Sequence, residues 1–212
     1  MKRNLYTILI SLMMTSYLFA QEPIIQLPAP KMHGGDSLMN CLKKRATNRE
    51  YSNKELSLQM LSDLLWAANG INRPEEKKRT APTARNWQDI DLYVVLHSGI
   101  YLWDDSSYQL KLIKSGDYMK ETGKQNFVEE APLNIIIVSN TSKMDGVAKD
   151  QILLYAGLHA GYISQNLYLF CASEGLNTVA RHYIDIEKIS KILGLKADQL
   201  VVLAQTVGFP AE

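Results

Sequence analysis

The feature that most constrains the fold is a helical pattern from residue 149 to residue 174, the longest in the chain. Apolar residues surround most of this helix, whereas a surface helix carries them on a single stripe. A helix of this kind is buried on nearly all sides, so other layers of the fold, or a second copy of the chain, must cover it. Gly175 follows directly and predicts the end of the helix.

Shorter patterns on both sides of this helix predict further helices and strands. Helices are predicted to begin at Asp36 or Ser37, at Ser57 and at Asp185, since these side chains can cap them. Strands are predicted at residues 90–97, 100–103, 108–113, 133–139, 178–183 and 200–207, the second and third of them as a hairpin. Residues 71–89 predict a polar loop, and residues 116–130 a short helix or a loop. Interleaved helices and strands with a hairpin place the chain in the α+β class.

The first twenty residues have the pattern of a secretion signal. Lys2 and Arg3 precede a largely apolar stretch, and Ala20 offers a cleavage point. The alternative is an uncleaved anchor helix, although the apolar run is short for a bilayer. We therefore expect an exported, periplasmic protein with no stable membrane insertion after signal cleavage. Residues 21–35, rich in Pro and Gly, predict an extended, poorly ordered arm, and residues 36–212 a single domain.

Charge and cysteine content narrow the class of protein further. Removal of residues 1–20 lowers Lys+Arg from 23 to 21 against 22 Asp+Glu, so the mature chain has a net charge of −1. Such a chain has no basic face that would follow the phosphates of a nucleic acid. Cys41 and Cys171 could form a disulfide in an exported protein, but their apolar helical contexts favour buried thiols. Because no spacing typical of a metal site occurs, we predict no metal.

The most informative cluster is residues 45–51, with the sequence RATNREY. Arg45 and Arg49 lie four positions apart and flank the hydroxyl of Thr47 at the end of a predicted helix. Guanidinium groups match phosphate oxygens in geometry as well as charge, and a hydroxyl can add a third hydrogen bond. The cluster therefore indicates a phosphate site. The alternative is an ordinary solvated helix end, because two lysines continue the charge run.

Three blocks of the sequence resemble motifs of the nitroreductase family. Residues 45–51 resemble its RRSxRxF signature, in which Arg45, Thr47 and Arg49 match phosphate-binding positions. Residues 79–88, with the sequence RTAPTARNWQ, resemble the loop RTxPSAxNxQ that passes the flavin. The third block matches the central-helix motif, the glycine turn after it and the late GxP strand end, at residues 159–167, 174–179 and 207–210. Within this family, the resemblance points to the neighbourhood of the SagB-type dehydrogenase branch.

The resemblance, which runs from about Asp36 to Pro210, implies a nitroreductase-like three-layer sandwich in which helices flank a central, mostly antiparallel sheet. It also implies a homodimer with FMN at the subunit interface and residues 149–174 as the central interface helix. The cofactor of this family carries the chemistry, so we assign no catalytic residue. The residues expected to bind the cofactor are Arg45, Ala46, Thr47, Arg49, Pro82, Thr83, Ala84, Gln125, Gly161 and Arg181.

Several positions depart from the family pattern. Ala46 replaces the usual basic or polar residue, Arg85 is bulkier than the usual small residue, and His159 stands where many relatives carry an acid. Many relatives also continue past the GxP with basic residues that reach the phosphate, whereas this sequence stops two residues later. Arg181, at the end of a predicted strand, is the candidate to replace that charge. The alternative for Arg181 is a surface charge near Glu187.

The function that the resemblance implies is that of an FMN-dependent oxidoreductase, which transfers two electrons through flavin N5 between a donor and a small organic acceptor. NADH or NADPH would be the donor, but these nucleotides are cytoplasmic. An exported enzyme would need another donor, or would oxidise its substrate and pass the electrons onward. Two alternatives stay open: a dehydrogenase that oxidises azoline rings in modified peptides, and a non-catalytic flavin-binding protein.

Overall fold

The computed structural model describes residues 24–211, so the predicted signal peptide lies outside the described part of the chain. The strands of this part are β1 (Ile24–Gln26), β2 (Ile71–Arg73), β3 (Lys78–Arg79), β4 (Ile90–Leu96), β5 (Gly99–Asp104), β6 (Gln109–Ser115), β7 (Leu133–Asn140), β8 (Asn177–Arg181) and β9 (Gln199–Gly208). Its α-helices are α1 (Leu38–Lys44), α2 (Leu58–Asn69), α3 (Phe127–Glu130), α4 (Ile152–Glu174) and α5 (Ile186–Leu193). No helix within residues 24–211 is long and apolar enough to cross a membrane.

Local sequence signals explain where several helices begin and end. Ser37 and Ser57 cap α1 and α2 as predicted, because their hydroxyls accept hydrogen bonds from the N–H groups of Asn40 (3.4 Å) and Met60 (3.2 Å). Gly175 ends α4 with a φ of 71°, a left-handed conformation that disfavours residues with a Cβ atom. The predicted positions of these helix ends are therefore confirmed.

Seven of these strands form one sheet in the order β1-β6-β5-β4-β7-β9-β8, with every neighbouring pair antiparallel. The predicted hairpin is β5 and β6. β7 lies inside the sheet, between β4 and β9, and its residues from Leu133 to Ser139 are all buried. A strand covered on both faces reads as a continuous apolar run in sequence, which is why this strand was predicted without alternation. A two-residue pairing of β2 with β3 lies apart from this sheet.

Helices cover both faces of the sheet, which confirms the predicted three-layer α+β architecture. On one face, Leu133, Ile135 and Ile137 of β7 pack in a core with residues of α2 and α4. On the opposite face, Ile136 and Val138 pack in a second core with residues of α5 and the 3-10 turn before α3. The alternation along β7 therefore joins the two cores through a single strand.

The long helix α4 is buried on one side only. Ala156, Ala160, Ile163, Leu167 and Cys171 face the sheet and are at most 1 % exposed. The other side carries four large apolar residues that stay exposed in the single chain: Leu153, Leu154, Leu158 and Tyr162. We expected a helix buried on nearly all sides. In the single chain only the side that faces the sheet is buried, and the apolar residues on the other side remain exposed.

Two stretches differ from the sequence-based expectation, and in a third, residues 116–130, the structure decides between the two predicted alternatives. In the predicted poorly ordered arm, residues 24–26 pair with β6 as an edge strand, and Leu27 beyond them is buried. Its Pro and Gly content predicts irregular backbone but does not reveal that an unpaired sheet edge is available. The predicted polar loop contains the small β2–β3 pairing. Residues 116–130 form two short helical turns, at Met119–Thr122 and α3.

Both cysteines are buried and unbridged. Cys41 on α1 is 5 % exposed and Cys171 on α4 is fully buried, and neither forms a disulfide. Burial raises the pKa of the Cys171 thiol to about 12, so it stays protonated and behaves as a small apolar side chain. The interpretation of these residues as buried thiols therefore holds, and the disulfide alternative is wrong.

We expect Gly175→Ala to lower the free energy of unfolding by about 1 kcal/mol. A Cβ atom at this position meets nothing within 4 Å, so the cost arises from the left-handed backbone alone. Gly175→Asn should cost clearly less, because asparagine adopts this conformation more readily than alanine. Urea unfolding of both variants measures the difference, and equal losses for the two would contradict this explanation.

Candidate functional site

The loop of residues 45–51 is fixed against the start of β8. The backbone N–H of Asn48 donates to the carbonyl of Thr178 (3.1 Å), and the amide of Asn48 donates to Asn177 (3.0 Å). Asn177 in turn donates to the carbonyl of Glu50 (2.7 Å). These three hydrogen bonds hold a segment without regular secondary structure in one path, so its side chains project from a defined backbone.

Tyr168 on α4 supports the same loop from the side of the helix. Its hydroxyl accepts the N–H of Ala180 (2.9 Å) and lies 3.0 Å from the hydroxyl of Thr47. The guanidinium of Arg45 lies over the Tyr168 ring at 5.3 Å from its centroid, within the range of a cation–π interaction. One aromatic side chain thereby positions both Arg45 and Thr47.

The two guanidinium groups of the loop carry charge that the described chain does not neutralise. Arg49 is exposed and Arg45 is half-buried, and neither forms an ion pair with a carboxylate of residues 24–211. Ala46, between them, is exposed and adds no polar group. Two unpaired cations and a hydroxyl on an anchored loop form a donor set that fits the oxygens of a phosphate monoester.

Tyr51 closes the base of this loop. Its ring packs against Phe127 with a centroid distance of 5.9 Å, and its hydroxyl donates to the carbonyl of Asn48 (2.8 Å). Burial raises the pKa of Tyr51, so the hydroxyl stays a donor at neutral pH. Through Phe127, this contact joins the loop to the segment of residues 122–127.

Gln125 in that segment holds an unusual polar atom. Its amide oxygen is buried and has no hydrogen-bond partner within residues 24–211. The preceding residue is fixed by the N–H of Lys124, which donates to the carbonyl of Tyr183 (3.1 Å). A buried acceptor without a donor is costly unless a bound molecule supplies one, which makes Gln125 a candidate ligand contact.

Arg181 does not join the two exposed guanidinium groups. It is buried, and its guanidinium donates to the hydroxyl of Thr206 (3.1 Å), to the side chain of Asn134 (2.7 Å), and to both the carbonyl and the hydroxyl of Thr122. Burial lowers the pKa of Arg181 to about 10, so it is still a cation at neutral pH. Because its Nε and both terminal nitrogens already donate inside the protein, Arg181 is not part of the candidate phosphate site, and the prediction that it contacts the phosphate is wrong. The alternative of a surface charge near Glu187 is also wrong.

The loop of residues 80–88 is anchored separately, at one end and in the middle. At one end Arg79 forms an ion pair with Asp105 and donates to Gln88 (2.9 Å). In the middle, the N–H of Ala84 donates to Nε2 of His159 on α4 (2.9 Å). Pro82 is exposed, and Thr83 and Ala84 are half-buried.

His159 and Asp89 are the residues in this region to which the sequence analysis gave no role. The His159 ring lies 2.6 Å from the Asp89 carboxylate through Nδ1, and both side chains are at most 1 % exposed. The available signal was the histidine on the helix where many relatives carry an acid, together with an aspartate directly after the loop.

The single chain brings the predicted residues together as two groups. Arg45 and Thr47 contact α4 at Tyr168, whereas Ala84 contacts it at His159, nine residues earlier and roughly 13 Å away along the helix axis. Gly161 lies on the exposed side of α4, where a Cβ atom would meet nothing within 4 Å. The single chain therefore does not bring all the predicted residues into one site.

Comparison with known proteins gives consistent matches along the chain. The model of the nitroreductase family matches residues 42–209. A protein of Methanocaldococcus jannaschii named as a nitroreductase is 29% identical over 176 residues, which cover 78% of this chain and 88% of that protein.

Solved structures extend the comparison. A crystal structure of a protein named as a nitroreductase from Ralstonia eutropha JMP134 superposes with a TM-score of 0.85 at 36% identity, covering 91% of this chain and 92% of that one. The microcin synthetase McbBCD complex of E. coli, with truncated pro-MccB17 bound, matches with a TM-score of 0.67 at 14% identity, covering 92% of this chain and 80% of that one. At that identity the second match shows a shared fold alone.

Arg181→Ala should lower the free energy of unfolding by about 3 kcal/mol, because it removes the donor to the buried Thr122 carbonyl and one of the two donors to the buried Asn134 side chain. The ratio of the affinities for FMN and riboflavin should not change, since the guanidinium does not reach the phosphate. Urea unfolding and flavin fluorescence titrations measure the two effects. A selective loss of FMN affinity at unchanged stability would restore the phosphate role.

Proposed function

This chain belongs to the nitroreductase family and is an oxidoreductase, and from its site we propose that it uses FMN to transfer two electrons between a donor and a small organic acceptor. The observation that carries this proposal is the pair of unneutralised guanidinium groups, Arg45 and Arg49, beside the hydroxyl of Thr47 on one anchored loop.

The donor set of this loop fits the phosphate end of FMN. A phosphate monoester carries about −1.5 to −2 charges at pH 7, which two guanidinium groups balance. Thr47 can add a neutral donor, and Tyr168 holds Arg45 and Thr47 beside each other. Ala46 contributes only backbone in this arrangement.

Other predicted residues fit the ring of the cofactor. The buried amide oxygen of Gln125 has no donor inside the described chain, and the edge of a flavin ring carries an N–H group that could supply one. Pro82, Thr83 and Ala84 are compact side chains, which let a backbone approach a planar ring closely. We assign these residues to ring contacts.

A homodimer would unite the two groups of residues. The exposed side of α4 carries four large apolar residues, and both Gly157 and Gly161 on this side leave space for a close neighbour. An apolar patch of this kind on a soluble chain marks an interaction site. We propose that α4 packs against a second copy of the chain, so that the Arg45–Arg49 loop of one protomer and the Pro82–Ala84 loop of its partner face the same cofactor.

When bound, FMN supplies the acceptance and donation of hydride. The residues of the chain bind and orient it: Arg45 and Arg49 hold the phosphate, Gln125 accepts from the ring edge, and the loop of Pro82 limits access of water. The proton that balances hydride transfer to an acceptor would come from solvent, so this proposal assigns no side chain as acid or base.

The physiological partners of the reaction depend on where the protein works. We propose export on the basis of the signal pattern in residues 1–20, and an exported enzyme would not meet NADH or NADPH. Its donor would then be another reductant, or its substrate would be the donor. The peptide-azoline dehydrogenase stays a hypothesis, because the match to the microcin synthetase complex concerns the fold.

The absorbance spectrum of the purified protein, followed by anaerobic titration with NADH and NADPH, tests the proposed function. We expect a bound flavin that a two-electron donor bleaches and that a nitroaromatic or quinone acceptor restores. A protein that binds FMN tightly but turns over with no donor would support the non-catalytic alternative. A protein that binds no flavin would overturn the proposal.

We expect Arg49→Ala to lower the affinity for FMN by about tenfold or more, because a hydrogen bond to a charged group contributes about 1.5–3 kcal/mol. Riboflavin, which lacks the phosphate, should keep its affinity. Lys43→Ala is the matched control, since Lys43 is exposed in the same charge run but lies on α1 outside the loop. Fluorescence quenching titrations give the affinities, and equal losses for Arg49→Ala and Lys43→Ala would contradict a specific phosphate site.

We expect light scattering to return the mass of two chains for the protein, and Leu154→Glu to convert it to one chain with weaker FMN binding. The substitution places a charge in the proposed interface, where its burial is unfavourable. Ile113→Glu is the control, since Ile113 is similarly apolar and exposed but lies on β6, next to the edge strand β1. A protein that binds FMN as a single chain would exclude the shared site.

A further inference from the structure

The loop between Thr83 and Asp89 has an unusual backbone. Arg85, Asn86 and Gln88 have φ values of 50°, 56° and 49°, so three non-glycine residues of this short segment adopt the left-handed region. Such conformations are unfavourable for residues with a Cβ atom and persist only where the surroundings enforce them. The segment must therefore be held by contacts strong enough to keep it in this shape.

The contact in the middle of the loop is made by His159. The N–H of Ala84 donates to Nε2 of His159 (2.9 Å), so this nitrogen acts as an acceptor and carries no proton. The proton of the neutral ring then lies on Nδ1 and is donated to the Asp89 carboxylate (2.6 Å). Asp89 thus selects the tautomer of His159 that can accept from Ala84.

The rest of this network is rigid. The second carboxylate oxygen of Asp89 accepts from the hydroxyl of Ser139 on the buried strand β7 (2.7 Å). Trp87, in the strained segment, packs edge-on against Tyr155 (5.4 Å between centroids) and against the His159 ring (6.1 Å). The loop is thereby connected through three consecutive hydrogen bonds to the most buried strand of the sheet.

We propose that His159 is a positioning residue which, oriented by Asp89, holds the strained loop in the shape that presents Pro82 and Thr83 to the flavin ring. The identity of the ligand in this role rests on the proposed function. The restraint of the loop by His159 rests on the contacts described above. Because the N–H of Ala84 already donates to His159, Ala84 offers the ligand its methyl group but no hydrogen-bond donor.

The test compares three variants. His159→Leu removes both the acceptor for Ala84 and the donor to Asp89. His159→Gln keeps one acceptor and one donor on a single side chain, so it is the conservative replacement. Ile189→Val removes one buried methylene from the core on the other face of the sheet and controls for a general loss of stability.

Two measurements separate the restraint of the loop from the binding of flavin. Hydrogen exchange of the amides at residues 84–88, measured without flavin, reports directly how well the loop backbone is restrained. Dissociation constants for FMN and riboflavin report presentation to the ring. We expect His159→Leu to raise the exchange rate of these amides by about tenfold or more. It should also lower the affinities for FMN and riboflavin by equal factors, because the phosphate contacts stay intact. His159→Gln should recover most of both losses, and Ile189→Val should cause neither.

Unchanged exchange in His159→Leu, or faster exchange with unchanged affinity for both flavins, would overturn the positioning role. Selective loss of FMN would overturn it as well, since that pattern belongs to the phosphate loop. If His159→Leu does not fold, the double variant His159→Leu/Asp89→Asn removes the unpaired buried carboxylate charge and carries the same expectation. A wild-type protein that binds neither flavin overturns the proposed function, while the exchange data still decide whether His159 holds the loop.

Discussion

The packing of α4 against the sheet is the interaction on which the rest of the molecule depends. Ala160, Ile163 and Leu167 are fully buried in the core that they share with β4, β7 and α2, so the axis of the helix is fixed relative to the sheet. His159 and Tyr168 both lie on α4, where His159 contacts the loop of residues 80–88 and Tyr168 contacts the loop of residues 45–51. Since a helix transmits position without bending over this length, both loops take their placement from one element.

Three arginines of this region illustrate how burial decides what a charge can do. Arg181 is enclosed, and neutral side chains and a carbonyl take up its donors, so its charge serves the packing of β8. Arg45 and Arg49 lie on the surface of a fixed loop without a carboxylate from residues 24–211. The same type of side chain is therefore structural in one place and a candidate ligand contact in the other.

Much of the fold could be predicted because its signals are local. The caps Ser37 and Ser57, the glycine after α4 and the unbroken apolar run of β7 each depend on residues close in sequence. The enclosure of Arg181 could not be predicted, since its partners come from segments 25 to 59 positions away. The Asp89–His159 pair was missed for the same reason, as 70 positions separate its two members.

The loop of residues 45–50 also lies where the sheet would otherwise end in an open strand. β8 is the last strand on one side, and the N–H of Asn48 donates to its Thr178 carbonyl, while the short strand β1 is the last strand on the other side and pairs with β6. An uncovered strand edge invites pairing with other chains and hence aggregation. A substitution that detaches this loop, such as one at Asn48, would therefore have two effects. It would disturb the candidate ligand site, and it would expose a strand edge that promotes aggregation. Loss of solubility in such variants would have its origin in the sheet, even though the altered residue belongs to a surface loop.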